Sequence, residues 1–412
     1  MGVLIRMNIW IVNPFDPLPG EVFRPGRYAH IANLLVNHGH RVLWWTSKWF
    51  HFSKTYRHTD SIKQTNDFSI IFIDTPPYKK NVSISRIYNH YVYGKFFKNL
   101  GMHRMDPPDI ILASFPPIES AAAAVFIAKQ RRCKIIIDIQ DLWPDAFPTV
   151  LPNTLRPLAK QLLRPLFWKV KTLLGKVDAV MAVSNDCLDI KLGRNNKMRK
   201  DSLLLHLGID LDAFDVPTNH EKEFMSKDSG YKWITYVGTM GKSYDLDTIL
   251  ITALYLKNQN NLRFILAGDG PKLERLKSFA QKNNLDNVFF TGFLKYDELK
   301  SLLIQSDIGM NTFAAGTLPF FPNKIFDYLA AGLPVINSTH GELKEVLATT
   351  ESGIGYNAGN PESLVKAIRI LLNDEEKRKK MAGNARRLVE ERYDRNKTYP
   401  SIIPFFEKVL ET

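Results

Sequence analysis

The sequence holds 412 residues, with 55 Lys and Arg against 42 Asp and Glu, a net charge of +13 and 45% hydrophobic residues. Such a length predicts two domains of about 200 residues, and such a composition excludes a disordered or fibrous chain. The two cysteines, Cys133 and Cys187, are far apart in the sequence, which excludes a disulfide framework and points to a reducing compartment.

In chain order, the opening stretch reads as a buried strand over Ile5–Val12. Arg6 and Asn8 interrupt its apolar run, as they would not in a signal peptide. Further strands are predicted at Arg41–Thr46, Ser69–Asp74, Ile110–Ser114, Lys134–Asp138 and Ala179–Ser184, with helices between, such as Tyr28–Asn37. After a boundary between residues 206 and 230, where Gly208, Pro217, Ser229 and Gly230 accumulate, the pattern repeats. Strands are predicted at Trp233–Gly238, Arg263–Gly268, Val288–Thr291, Ile308–Asn311, Pro334–Ser338 and Gly353–Asn357, with helices such as Pro271–Asn284 and Asp297–Ser306. Alternation of this kind predicts α/β architecture: two doubly wound parallel sheets, spanning 1–205 and 206–394. The segment 395–412 is expected to pack back on the first. Ligands of such sheets bind at the carboxyl ends of the strands.

Charge divides unevenly. Residues 1–205 carry 29 Lys and Arg against 15 Asp and Glu, and the rest carry 26 against 27. The first half therefore meets whatever large anionic partner exists. Three clusters there mix cations with aromatic or apolar residues: Trp44–His58, Arg86–Arg104 and Leu155–Lys176, the last without an acidic residue. Interfacial helices pair these residue types, and so do core helices with solvated basic edges. Together with the charge they favour an anionic membrane surface. No apolar run approaches the ~20 residues needed to span a bilayer.

Three segments of the second half bear on chemistry. Val237-Gly238-Thr239-Met240-Gly241-Lys242 leaves a strand through two glycines, a geometry that can admit a diphosphate to backbone N–H groups or simply make a turn. Leu266-Ala267-Gly268-Asp269-Gly270-Pro271 reads as a tight strand-to-helix connection. In Phe321-Pro322-Asn323-Lys324-Ile325-Phe326-Asp327-Tyr328-Leu329-Ala330-Ala331-Gly332-Leu333-Pro334-Val335-Ile336, helical spacing puts Lys324 and Asp327 on one face, and Gly341-Glu342 follows the next strand. The Asp210-x-Asp212 pair has no His or Cys beside it and reads as loop; no metal is expected.

These segments, with Phe290-Thr-Gly-Phe293 between them, resemble the donor domain of the retaining glycosyltransferase family 4, which has the GT-B fold of two Rossmann-like domains facing across a cleft. Ser114-Phe-Pro-Pro117 and Asp138-Ile-Gln-Asp-Leu-Trp-Pro-Asp145 are similar to bacterial surface-polysaccharide transferases, including N-acetylfucosamine transferases. The resemblance implies a metal-independent enzyme moving a hexosyl or N-acetylhexosaminyl group from a nucleotide sugar, with UDP expected, to a lipid-linked or glycan acceptor. It implies a place on the cytoplasmic face of the membrane, in O-antigen or capsule synthesis, and no cofactor or nucleic-acid partner. Asp327 falls where the family has the Glu that holds the ribose, and Pro319 where it has an earlier Glu. The diphosphate-clamping Arg and Lys fall at the neutral Thr239 and Tyr244, which leaves Lys242 and Lys324 as the nearby cations. A family His falls at Gln140, leaving Asp141 beside it. Donor contacts are thus expected at Gly238, Thr239, Gly241, Phe293, Asn323, Asp327 and Glu342, and acceptor contacts at Gly20, Arg24 and Arg27. Asp141, Lys242 and Lys324 are expected at the chemistry. A GT-B nucleotide-sugar epimerase, or a non-catalytic basic protein binding membranes or nucleic acid, are the other readings.

Overall fold

The computed structural model describes residues 6–21, 24, 26–59, 62–64, 68–193, 201–217, 227–319 and 321–412. The chain divides into two compact units. Unit 1 takes the chain up to Asp145, then Pro157–His206 and Tyr399–Thr412; unit 2 takes Ala146–Arg156 and Leu207–Thr398.

Unit 1 runs β1 (Asn8–Val12), α1 (Arg27–Asn37), β2 (Arg41–Ser47), β3 (Trp49–Phe50), β4 (Thr55–Tyr56), β5 (Ile62–Gln64), β6 (Ser69–Ile73), α2 (Ile84–His103), β7 (Ile110–Phe115), α3 (Ile118–Arg131), β8 (Lys134–Ile139), α4 (Arg156–Leu162, its first residue in unit 2), α5 (Arg164–Leu174), β9 (Ala179–Ala182), α6 (Asn185–Leu192) and β10 (Ser202–Leu204). Its sheet has the order β10-β9-β8-β7-β1-β2-β6-β5, parallel except for β5. The central strands are apolar on both faces because helices cover both. One face, with Ile9, Ile11, Trp44 and Ile110, packs under Tyr28, Ile31 and Leu35 of α1. On the other, Trp45 meets Phe97 of α2 at 5.2 Å between ring centroids and accepts the Tyr93 hydroxyl on its carbonyl.

Unit 2 runs α7 (Leu211–Asp215), β11 (Lys232–Val237), α8 (Leu246–Tyr255), β12 (Leu262–Ala267), α9 (Leu273–Lys282), β13 (Val288–Gly292), α10 (Tyr296–Gln305), β14 (Ile308–Asn311), α11 (Asn323–Ala330), β15 (Val335–Asn337), α12 (Glu342–Thr349), β16 (Gly353–Gly355), α13 (Pro361–Asn373), α14 (Glu375–Arg392) and α15 (Arg395–Thr398). All six strands are parallel, in the order β13-β12-β11-β14-β15-β16. The highly charged α14 is held by one stripe, Met381, Ala385, Leu388 and Val389. The chain then returns to unit 1 as α16 (Ile402–Glu411), whose Phe406 and Val409 enter the core beneath α1.

The elements differ from the sequence expectation in three places. The first strand starts at Asn8; Ile5, its expected start, lies outside the described residues. The helix expected over Pro271–Asn284 spans Leu273–Lys282, with Lys272 at its N-cap and Asn283 at its C-cap. The Trp44–His58 cluster is no interfacial helix: Trp44 and Trp45 lie buried in β2, and Trp49 and Phe50 sit in the β3–β4 hairpin, leaving Phe52 and Tyr56 exposed. Strands of two or three residues, such as β3, β4 and β10, carry too few positions for alternation to register.

Arg27, expected at the acceptor, is instead a buried strut. Its Nε and Nη2 donate to Asp138 at 2.9 and 3.1 Å, and its Nη1 donates to the Leu205 carbonyl at 2.7 Å. The Tyr28 hydroxyl donates to the same Asp138 carboxylate at 2.8 Å. One ion pair thus joins α1, β8 and the end of β10. Breaking a buried pair from one side leaves the other charge uncompensated. Asp138→Ala is expected to lower unfolding stability by about 3–5 kcal/mol, read as a shift in the urea midpoint; a loss below about 1 kcal/mol contradicts this assignment.

Candidate functional site

Strand order in unit 2 reverses between β11 and β14, which opens a crevice at their carboxyl ends. Three turns line it. The first follows β11, where Gly238 has φ +138°. The second follows β12, where Gly268 has φ +141° and Gly270 +153°. A Cβ on Gly268 would lie 2.0 Å from the Gly238 carbonyl oxygen, and one on Gly270 2.7 Å from the backbone of Met240. Only glycine allows these two turns to stack, so the Gly-Asp-Gly-Pro segment is the tight connection expected of it. The Gly238 N–H donates to the Ala267 carbonyl and the Gly241 N–H to the Thr239 carbonyl. Those two expected phosphate donors are therefore occupied within the turns.

The third wall is the N-terminal turn of α11, and it supplies a charge. Lys324 is 8% exposed, and its ammonium hydrogen-bonds to no described residue. It sits over three rings: Tyr236 at 4.3 Å, Tyr244 at 4.7 Å and Phe313 at 5.4 Å to the centroids. These come from β11, the turn after it and the segment after β14, so the cage straddles the reversal of strand order. A Cβ on Gly238 would approach the Lys324 nitrogen to 3.5 Å. The ring faces attract the cation, yet burial outweighs them and pushes Lys324 down to about 7. A lysine held in this way between its neutral and charged forms gains full charge when an anion comes close.

Around this centre the other expected donor residues are unevenly placed. Thr239 and Lys242 are exposed on the first turn, and Asn323 is exposed at the first position of α11. Asp327 is 4% exposed and accepts the Tyr296 hydroxyl at 3.2 Å, which ties α10 to α11. Phe293 is 64% exposed after β13. Glu342 opens α12 behind Gly341, which has φ +79°. No sequence signal marks the aromatic cage, although one of its rings, Tyr244, falls where the resembled family has a cation. Asp210 caps α7 through the Ala213 N–H, and Asp210 and Asp212 both accept from Asn396, so the pair works in the loop.

In unit 1, Asp141 lies just beyond β8. Burial raises its pKa, opposed by a bond from the Leu142 N–H and by the attraction of Arg86 and Lys191. A carboxylate raised in this way is suited to accept a hydroxyl proton. Gly20 is exposed, with φ +87°, and Arg24 is half-buried ahead of α1.

Residues 218–388 match the family described as Glycosyl transferases group 1. The match lies within unit 2, which is thus similar to the group 1 glycosyl transferases. It is 25% identical over 319 residues to the sulfoquinovosyl transferase SQD2 of Arabidopsis thaliana, covering 73% of this chain and 58% of that protein. It is 24% identical over 277 residues to the alpha-monoglucosyldiacylglycerol synthase of Streptococcus pneumoniae, covering 65% of this chain and 60% of that one. The aligned stretches thus span about three fifths of these relatives. Among solved structures, Anabaena HepE in complex with UDP superposes with a TM-score of 0.69 at 14% identity, over 98% of this chain and 100% of HepE. Two units, each with a parallel α/β sheet, and this superposition make the fold GT-B.

The cage makes a prediction about stability. Between pH 7 and 10.5 the unfolded chain holds a proton on Lys324 that the folded chain lacks, so stability rises with pH through that window. The slope is at most ~1.4 kcal/mol per pH unit. Lys324→Met is expected to abolish this rise and to stabilise the protein at pH 7, as read by urea unfolding across pH 7–10. Parallel pH profiles for the two proteins contradict a buried, depressed lysine.

Proposed function

We propose that this chain is a group 1 glycosyl transferase that moves a hexosyl or N-acetylhexosaminyl group from a UDP-sugar to a hydroxyl of a lipid-linked or glycan acceptor, with retention of configuration and without a metal ion. The Lys324 cage carries the donor half of this reading. A diphosphate leaving group gains negative charge as its bond to the sugar breaks, and preorganised positive charge at that point lowers the barrier. Lys324 offers such a charge from a dry, ring-lined pocket, on the side of the crevice where the family's Arg and Lys positions are neutral. Lys242, exposed on the facing turn, adds a second cation. Asp141 is the proposed acceptor-side base, and Asp327 and Glu342 are proposed at the ribose and sugar.

Helices α2 to α5 support a membrane-borne acceptor. Ile84, Ile87, Tyr88 and Tyr91 of α2 are between 54% and 85% exposed, and Leu158, Leu162 and Trp168 of α4 and α5 between 56% and 72%. Lys95, Lys160, Arg164, Lys169 and Lys171 are exposed on the same helices. Each cation near an anionic leaflet contributes about 1 kcal/mol, and each inserted apolar side chain ~1.5–3 kcal/mol. No helix among the described residues is long and apolar enough to cross a membrane. Peripheral attachment at the cytoplasmic face, in the assembly of a bacterial surface polysaccharide, is the setting proposed.

Two measurements test this. UDP at a hundred times its dissociation constant should stabilise the protein by about 2.7 kcal/mol. The shift is expected to exceed those of GDP and ADP and to vanish in Lys324→Met; flat melting curves with all three nucleotides sink the donor site. Wild-type protein is expected to cosediment with phosphatidylglycerol vesicles and to be released by salt. Leu162→Ser with Trp168→Ser should weaken this at least about tenfold. Unchanged sedimentation of the double variant removes α4 and α5 from the membrane contact.

A further inference from the structure

At the carboxyl edge of the unit 1 sheet lies a cluster with more positive charge than its neighbours balance. Lys54, between β3 and β4, donates to the Asn81 side chain at 2.7 Å and to His51 Nδ1 at 3.3 Å. Arg86, in the first turn of α2, donates to the Asn81 carbonyl at 2.7 Å and to His90 Nε2 at 3.3 Å. Both cations flank one ring, Tyr78, at 4.7 and 5.9 Å to its centroid. Arg86 also lies 5.0 Å from the ring of Trp143. Neither cation has a carboxylate within ion-pair distance among the described residues. Asp141 attracts Arg86 only from farther off.

The two histidines add donors rather than charge. Burial first, then the neighbouring cations, push both His51 and His90 down to about 3, so each ring is neutral. His51 Nδ1 faces an ammonium and His90 Nε2 faces a guanidinium N–H. Lysine and arginine can only donate, so these nitrogens accept and the ring protons sit on His51 Nε2 and His90 Nδ1. Those two N–H groups reach no described partner. The cluster therefore holds two cations without a carboxylate partner and two free ring donors, with the Asp141 carboxylate within electrostatic reach of Arg86.

We infer that His51, Lys54, Arg86 and His90 form a binding site for a phosphate or diphosphate group carried by the acceptor. A doubly charged oxyanion matches two cations gathered at one ring, and its several oxygens match the donors around them. Trp143 and Phe15, whose ring lies 5.4 Å from His90 and 5.3 Å from His51, supply flat walls beside it. This inference rests on the glycosyl-transfer reading for the word acceptor, while the anion site stands on its own geometry. It also narrows the acceptor class: a neutral glycan or an uncharged glycerolipid leaves both cations unmatched.

The test is calorimetric titration of the full chain with inorganic pyrophosphate, in saturating UDP so that the donor crevice is filled. Arg86→Gln and Lys54→Met are each expected to weaken binding about 10- to 100-fold, the worth of a charge-assisted hydrogen bond. Lys98→Ser, a surface control on α2, should bind as wild type. Wild-type affinity in both Arg86→Gln and Lys54→Met overturns the inference, and so does an equal loss in Lys98→Ser, which marks diffuse charge. Should Arg86→Gln fail to fold, Lys54→Met, on a short hairpin, decides alone. Farnesyl diphosphate separates the sources of the anion. Tighter binding than pyrophosphate points to a lipid carrier, and equal binding to the phosphate group alone; both retain the site. Absence of any UDP effect on melting removes the donor reading, while the variants still report on this cluster.

Discussion

A parallel sheet whose strand order reverses near its middle cannot cover its own carboxyl edge there, because the helices on either side of the reversal cross to opposite faces. Both units of this chain carry that constraint. In unit 2 the reversal falls between β11 and β14, and in unit 1 between β7 and β1. The groups given a chemical role here lie beyond the carboxyl ends of the strands in one sheet or the other. The Lys324 cage is built from the ends of β11 and β14, and the Arg86–Lys54 cluster from segments that follow β2 and β6. In both places cations without a carboxylate partner stand against aromatic rings.

The two edges use charge differently. Lys324 is alone and almost dry, so its ammonium is poised between charged and neutral, and the ring faces are its main attraction. Arg86 and Lys54 lie less deeply and share Asn81, which holds them apart without neutralising either. A lone desolvated lysine suits a transient need, such as charge appearing on a leaving group. A bracketed pair suits a standing charge that arrives with the ligand and remains.

Much of this was legible in the sequence because parallel strands covered on both faces read as apolar runs, as in Ile110–Ala113 and Phe264–Ala267. The glycine turns and the Lys324–Asp327 helix were legible for the same local reason: the residues lie next to one another in the chain. The site's remaining parts were not. Tyr236, Tyr244 and Phe313 meet Lys324 across gaps of 88, 80 and 11 positions, and His51, Tyr78 and Arg86 meet across 27 and 8. No periodicity links such residues, and only the register of the sheet brings them together. Arg27 shows the opposite error. An arginine near the start of a helix in the acceptor half invites a ligand contact, but its partner Asp138, 111 positions away, claims it for the interior.

The stacking of the Gly238 and Gly268 turns has a mechanical consequence. Their backbones approach so closely that not even a methyl group fits between them, and the Met240 N–H donates to the Asp269 carbonyl across the seam. Two loops that look separate in the chain are thereby welded into one rigid plate. The Lys272 N–H in turn donates to the Met240 carbonyl, so a displacement of either loop draws the other and the approach to α9 along with it.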